Sequence, residues 1–287
     1  MEVGFNLIVG FYTAVFREWS LEKLLEWATK NGFKALEVYA GPKSKHIDPE
    51  EVTKGKAMKL KQAFEEKDLY ISSLAYYPNN LDPNEEKRRA NINHIKIMID
   101  AASQLDVNII CTFIGSNGNF FCTGIETSLK LFKEVFPEII DHAKDHDIRI
   151  AIENCPLGGW NIAFSPEIWD EIFSIGTNIG LNFDPSHLVW QGIDYVKAIY
   201  DYGKRIFHTH AKDTEVFKGK LRRSGIYGKG WWRYRIPGWG EIDWRKVITA
   251  LKDVGYDYVL SIEMEDPLFK PEEGLILGLR YLSSLLL

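Results

Sequence analysis

Cysteine is scarce in this sequence: Cys111, Cys122 and Cys155 are the only three in 287 residues, and no two of them share a CxxC spacing. An odd count without metal-type pairing argues against a disulfide framework and fits reduced, mostly structural thiols in a cytoplasm. Charge of one sign is lacking too. The chain carries 35 Lys and Arg against 40 Asp and Glu, a formal charge of −5, so there is no global basic footprint and no nucleic-acid partner is expected. No apolar run approaches the ~20 residues of a membrane span. The opening "MEVGFNLIVGFYTAVF" has no basic stretch and no small-residue cleavage site, so neither a membrane association nor export is expected, and the location is read as cytoplasmic. No Gly/Pro/Ser-rich linker or composition break interrupts the chain, which predicts one domain over 1–287. A GxGxxG after the first strand is also missing, and with it the fingerprint of a dinucleotide-binding sheet.

What the chain does contain is alternation. Short β-rich runs, "FNLIVG", "ALEVYA", "YISSLAYY", "NIICTFIG", "IRIAIEN", "IGLNFD", "IFHTHA" and "YVLSIEME", are separated by helical patterns such as "SLEKLLEWATKNG" and "WRKVITALKDVG". Strand-helix alternation signals a parallel sheet covered by helices. Eight such units in this length predict an α/β fold, a single (β/α)8 TIM barrel.

A barrel gathers its chemistry at the carboxyl ends of its strands, where the βα loops converge. The fifth strand finishes on Glu153, the sixth on Asp184, the seventh on His210 and the eighth on Glu263. Three carboxylates in one mouth repel one another unless a cation sits among them, and the imidazole adds a nitrogen donor. The donor set suits one divalent metal ion, Mn, Co, Mg or Zn.

The motifs "IENCP", "NFDPSHL", "HAKD", "GWGEIDW" and "LSIEMED", in that order, resemble those of the sugar phosphate isomerase/epimerase family with a xylose isomerase-like barrel. The resemblance implies that Glu153, Asp184, His210 and Glu263 hold one divalent metal, and that Glu153 and Glu263 move protons. It also implies that His187 contacts substrate oxygens. The expected activity is therefore a metal-dependent isomerase, either a ketose epimerase or an aldose-ketose isomerase, acting on a sugar or sugar phosphate. A metal on a carbonyl and its neighbouring hydroxyl acidifies the α C–H and stabilises a cis-enediolate. Two carboxylates on opposite walls then decide where the proton returns. A dehydratase of the same superfamily is the near alternative, and a homo-oligomer is left open.

Other residues near the strand ends carry weaker expectations. His208 alternates with His210 and reads as a buried structural histidine. Lys212 and Asp213 offer a substrate contact, a partner for the second ring nitrogen of His210, or a salt-bridged loop. Asn154 and Glu37 also lie at strand ends. The connection after the seventh strand is long, about Thr214 to Glu241, and rich in Lys, Arg and Trp. Long loops in compact domains are usually functional, so it is read as a lid or rim, with Trp232, Arg233 and Arg235 as substrate-binding candidates.

An abasic-site endonuclease is the competitor from another class, since it resembles this barrel with a three-metal site and extra histidines. Here "LAYYPNN" and "FIGSNGN" follow the third and fourth strands without a histidine, and Trp232, Arg233 and Tyr234 stand where an Asp-x-His is expected. A three-metal design is left without its ligands.

Overall fold

In a computed structural model describing residues 7–286, eight parallel strands close into a barrel surrounded by helices. The strands are β1 (Ile8–Tyr12), β2 (Ala35–Tyr39), β3 (Tyr70–Ala75), β4 (Ile109–Thr112), β5 (Arg149–Glu153), β6 (Ile179–Phe183), β7 (Ile206–Ala211) and β10 (Val259–Ile262). Between β7 and β10 lies a separate antiparallel ribbon of β8 (Asp213–Val216) and β9 (Trp232–Arg235). Around the barrel the order is β1-β10-β7-β6-β5-β4-β3-β2. All eight expected strands are therefore present. Phe5 and Asn6 of the first, and Leu287 of the last helix, lie outside the described residues.

The covering helices begin where their caps predict. Ser20, Asn84, Asp194 and Asp243 each accept a hydrogen bond from the backbone N–H three residues on, satisfying donors that the first helical turn leaves orphaned. One boundary differs from expectation. The helical pattern from Val52 becomes a regular α-helix only at Ala57, because Gly55 adopts a φ of 104°.

Strand parity divides the interior in two. Leu36, Val38, Ile150, Ile152, Leu181, Phe183, Leu260 and Ile262 pack outward in the main core under the helices. Residues of the other parity, among them Ala75, Cys111 and Ala151, join Tyr12, Ile109 and Phe207 in a smaller cluster, as alternation along a strand requires. The register between β6 and β7 skips one residue, with Leu181 opposite Ile206 but Asn182 opposite His208. Such a bulge re-aims the side chains that follow it. Gly180 permits the close approach at this point, since a Cβ there would lie 2.3 Å from the Arg205 carbonyl oxygen.

The segment after β7 is an ordered ribbon with a short helix, Lys218–Ser224, at its far end. Asp213 fastens its base. The Asp213 carboxylate accepts from the backbone N–H of Thr214 (2.8 Å), Gly238 (3.0 Å) and Ile242 (3.0 Å), and from the Trp244 indole (3.2 Å). A Cβ on Gly240 would lie 2.2 Å from that carboxylate, so glycine is the residue that fits there.

Candidate metal centre

The parity that buries Ile150 and Ile152 under the helices turns Ala151 and Glu153 toward the barrel axis. Asp184 follows β6 and caps the helix Pro185–Gln191. Its Oδ1 accepts from the Ser186 N–H at 2.8 Å, which leaves Oδ2 for the mouth. Asn154 fixes the Asp184 backbone from both sides, donating to its carbonyl at 2.8 Å and accepting from its N–H at 2.7 Å.

Glu153, Asp184, His210 and Glu263 each bring one donor atom into a cluster whose members all lie within 4.8 Å of one another. His210 Nδ1 stands 3.5 Å from Glu153 Oε1 and 3.3 Å from Glu263 Oε2. His210 Nδ1 and Asp184 Oδ2 are buried, and neither has a hydrogen-bond partner among the described residues. Buried polar atoms are rarely left in this state. An imidazole nitrogen without a hydrogen bond, and a carboxylate oxygen whose only ion-pair neighbours among the described residues are the Lys212 ammonium at 3.2 Å and His187 Nε2 at 3.3 Å, face two further carboxylates and fit a divalent cation of the nitrogen- and oxygen-binding class.

The other ring nitrogen of His210 is held from across the barrel. Nε2 lies 2.9 Å from Glu37 Oε2 on β2. An ionised carboxylate only accepts, so Nε2 carries the proton and Nδ1 presents its lone pair to the cluster. Glu37 also accepts from Tyr77 (2.5 Å) and Ser261 (2.7 Å). Burial pushes the Glu37 carboxyl up, but the imidazoles of His210 and His208 and these hydrogen bonds hold it below its ordinary value. The expectation that Lys212 or Asp213 might hold the second nitrogen of His210 is thereby corrected: Glu37 holds it, and Asp213 belongs to the ribbon's base. His208 is the buried structural histidine expected of it, bonded to Ser72 at 3.1 Å and Asn182 at 3.1 Å. Burial pushes its imidazole down to about 4.

Lys212 is fully buried at the end of β7 and enters the same space. Its Nζ bonds Glu263, lies 2.8 Å from Glu265 Oε2 and 3.2 Å from Asp184 Oδ2, and sits 4.4 Å above the Tyr234 ring. Burial pushes the Lys212 ammonium down, and the carboxylates of Glu263, Asp184 and Glu265 reverse this and hold it protonated. For Glu263 the balance is the mirror image. Burial raises it, and Lys212 and His210 bring it well below the usual carboxylate range.

His187 lies in the first turn after Asp184. Its Nε2 is 3.2 Å from Glu153 Oε1 and 3.3 Å from Asp184 Oδ2, and its Nδ1 is 2.8 Å from the Tyr234 hydroxyl. The ribbon residues sort by parity. Arg233 and Arg235 share one face and both bond Glu215, at 2.8 Å and 2.6 Å, and Arg235 also bonds Asp266 at 2.8 Å. Trp232 and Tyr234 share the other face. Trp232 stacks on Trp190 with centroids 4.8 Å apart, and Tyr234 reaches His187 and Lys212. Tyr234 is not among the substrate-binding candidates expected from the sequence, although the period of two along "WRYR" separates it from the arginines.

With this geometry in place, the comparisons with known proteins agree on the class. The chain belongs to the xylose isomerase-like TIM barrel family, whose model matches residues 25–285. It is 27% identical to the inosose isomerase of Bacillus velezensis, over 88% of this chain and 85% of that one. It is 28% identical to the inosose dehydratase of Clostridium botulinum, over 78% of this chain and 80% of that one. In fold it is similar to the crystal structure of the IOLI protein with a zinc atom, with a TM-score of 0.73, 22% identity and 98% of each chain covered.

Proposed function

We propose that this chain is a divalent-metal-dependent isomerase of a polyhydroxylated ketone, a sugar or sugar phosphate in open-chain or ring form. In this reading Glu153, Asp184, His210 and Glu263 hold one ion of the Mn, Co, Mg or Zn class. When bound, such an ion lowers the cost of negative charge on a ketone oxygen and so acidifies the neighbouring C–H. The observation that carries the reading is the placement of two glutamates, Glu153 and Glu263, on either side of His210 Nδ1, at 3.5 Å and 3.3 Å.

The chain's own residues supply proton traffic. Glu263 is kept ionised by the Lys212 ammonium and would accept the proton as that contact loosens. Glu153, beside His187 Nε2, stands on the other side of His210 Nδ1 and would return one. Lys212 is the charged donor for a developing oxyanion, with Glu265 balancing its charge when Glu263 takes up the proton. His187, fixed by the Tyr234 hydroxyl, would contact substrate hydroxyls from beside Glu153. Trp232, Arg233 and Arg235 remain proposed substrate-side residues. Trp232 would act as an apolar wall, and the arginines would act through the ribbon they brace against Glu215.

A second reading has its own support in the inosose dehydratase relative. Removal of the same α proton followed by loss of a β-hydroxyl is dehydration rather than isomerisation. Incubating the metal-loaded protein in D2O with ketoses, their phosphates and inososes, and reading the mixture by NMR, separates the two. Deuterium beside the carbonyl in an epimerised or isomerised product supports the proposal, and an unsaturated product moves the chain to the dehydratases. Glu153→Gln and Glu263→Gln should each lower proton transfer by roughly 10²-fold or more. Exchange that survives in both removes them from the mechanism.

A further inference from the structure

On the outside of the barrel a second cluster of metal-binding atoms joins two neighbouring helices. Asp100 lies in the helix Glu85–Gln104, His142 lies in the last turn of the helix Glu126–Asp145, and His146 caps that helix. One donor atom from each lies within 4.8 Å of the others. His142 and His146 are four residues apart and so share a helix face. Their Nε2 atoms both point at Asp100 Oδ1, at 2.7 Å and 3.3 Å.

The tautomer of His146 is dictated by the way its helix ends. The His146 N–H bonds the Ala143 carbonyl in a tightened last turn and leaves the His142 carbonyl free of its usual partner. The ring of His146 fills that vacancy, with Nδ1 2.8 Å from the His142 carbonyl oxygen. A carbonyl only accepts, so Nδ1 is the donor, and in the neutral ring Nε2 carries a lone pair. That lone pair faces a carboxylate oxygen at 3.3 Å, an arrangement of two acceptors that a proton or a metal ion between them resolves. The same pattern, a backbone carbonyl holding one nitrogen while the other is presented, orients histidine ligands in metalloproteins. A tetrahedral ion about 2.1 Å from each ligand sets its ligand atoms about 3.4 Å apart, close to the His146 to Asp100 separation, while the direct His142 to Asp100 hydrogen bond of 2.7 Å has to open to admit the ion. The carbonyl-rich end of a helix also favours positive charge. All three side chains are half-buried and open to solvent on one side.

We propose that Asp100, His142 and His146 form a second, external site for a borderline divalent transition ion, zinc, copper(II) or nickel, which clips the two helices together. Two imidazoles and one carboxylate favour these ions over magnesium or calcium. The proposal stands apart from the barrel mouth and does not depend on the activity assigned to it.

The test uses the untagged full chain and zinc alone. Equilibrium dialysis with elemental analysis should find one more zinc per chain in the wild type than in His142→Gln or His146→Gln. Asp100→Asn, an isosteric change that removes the charged ligand oxygen, should weaken the external ion by roughly tenfold or more, at least as much as losing a partner behind a ligand. Zinc should also raise the thermal midpoint of the wild type, measured against its own chelator-treated form, more than it raises that of any of the three variants measured the same way. Equal zinc content and equal zinc-induced shifts in wild type and variants would overturn the site and leave the trio as an ordinary hydrogen-bonded contact between helices.

Discussion

The two walls of the barrel mouth divide the work. On the wall of β5, β6, β7 and β10 every strand end contributes a donor to the central cluster: Glu153, Asp184, His210 and Glu263. The facing wall contributes no member to it. Instead, Glu37 and Tyr77 reach across from β2 and the end of β3, and with Ser261 they form the network behind His210. The difference teaches that a donor cluster needs more than donors. One wall supplies the atoms, and the other decides which tautomer and orientation they adopt.

The most damaging way to break this contrast is on the donor wall. Asp184→Asn or His210→Ala should strip most of the divalent metal from protein purified without chelator, with loss of turnover in proportion, as elemental analysis and activity will report. Full retention of metal in both variants would dissolve the distinction between the walls. On the opposite wall, Glu37→Gln should leave the cluster's geometry in place but lower metal affinity by about 10–100-fold, the scale for partners behind a ligating histidine. A competitive chelator titration measures this, and an unchanged affinity would reduce Glu37 to packing.

The smallest effect lies at the outer edge of the supporting wall, where His46 ties the loop after β2 to the turn after β1. Its Nε2–H donates to the Phe16 carbonyl at 3.0 Å and its Nδ1 accepts from Thr13 at 3.0 Å. Burial lowers its imidazole from 6.5 to about 4 in the folded chain. The unfolded chain therefore takes up the proton first. The stability contributed by neutral His46 is present above pH 6.5 and is lost as the pH falls from there toward 4. The loss is at most about 1.4 kcal/mol per pH unit crossed. The thermal midpoint should drop between pH 7 and pH 5 by more in the wild type than in His46→Gln, and equal drops would exclude His46 as the cause.

Much of this was legible in the sequence for a physical reason. Parity and strand length are local properties, so eight short β-rich runs separated by capped helices implied the barrel, and their final residues implied where Glu153, Asp184, His210 and Glu263 would meet. What was not legible depends on neighbours far apart in the chain. Glu37 meets His210 across 173 positions, and nothing beside Glu37 in the sequence announces that partner. Lys212 has several possible partners in the sequence alone, because only the closed barrel brings Glu263 and Glu265 to it. The ribbon's arginines drew attention by their charge. Their partners, Glu215 eighteen residues before Arg233 and Asp266 on the far side of β10, become visible only when the strands pair.

The clasp formed by Asp213 at the base of the ribbon separates position from length. Both ends of the segment are gathered at one carboxylate, and Thr214 and Tyr234 are register partners close to it. Tyr234 therefore keeps its place over His187 whatever the chain does between Val216 and Trp232. Loop-closure entropy grows only logarithmically, and doubling such a segment costs about 0.6 kcal/mol. The outer part of the ribbon is thus free to lengthen, shorten or change its charge at little thermodynamic cost, while the groups at its root stay in register. In evolutionary terms, the rim of this mouth can be rewritten without retuning its floor.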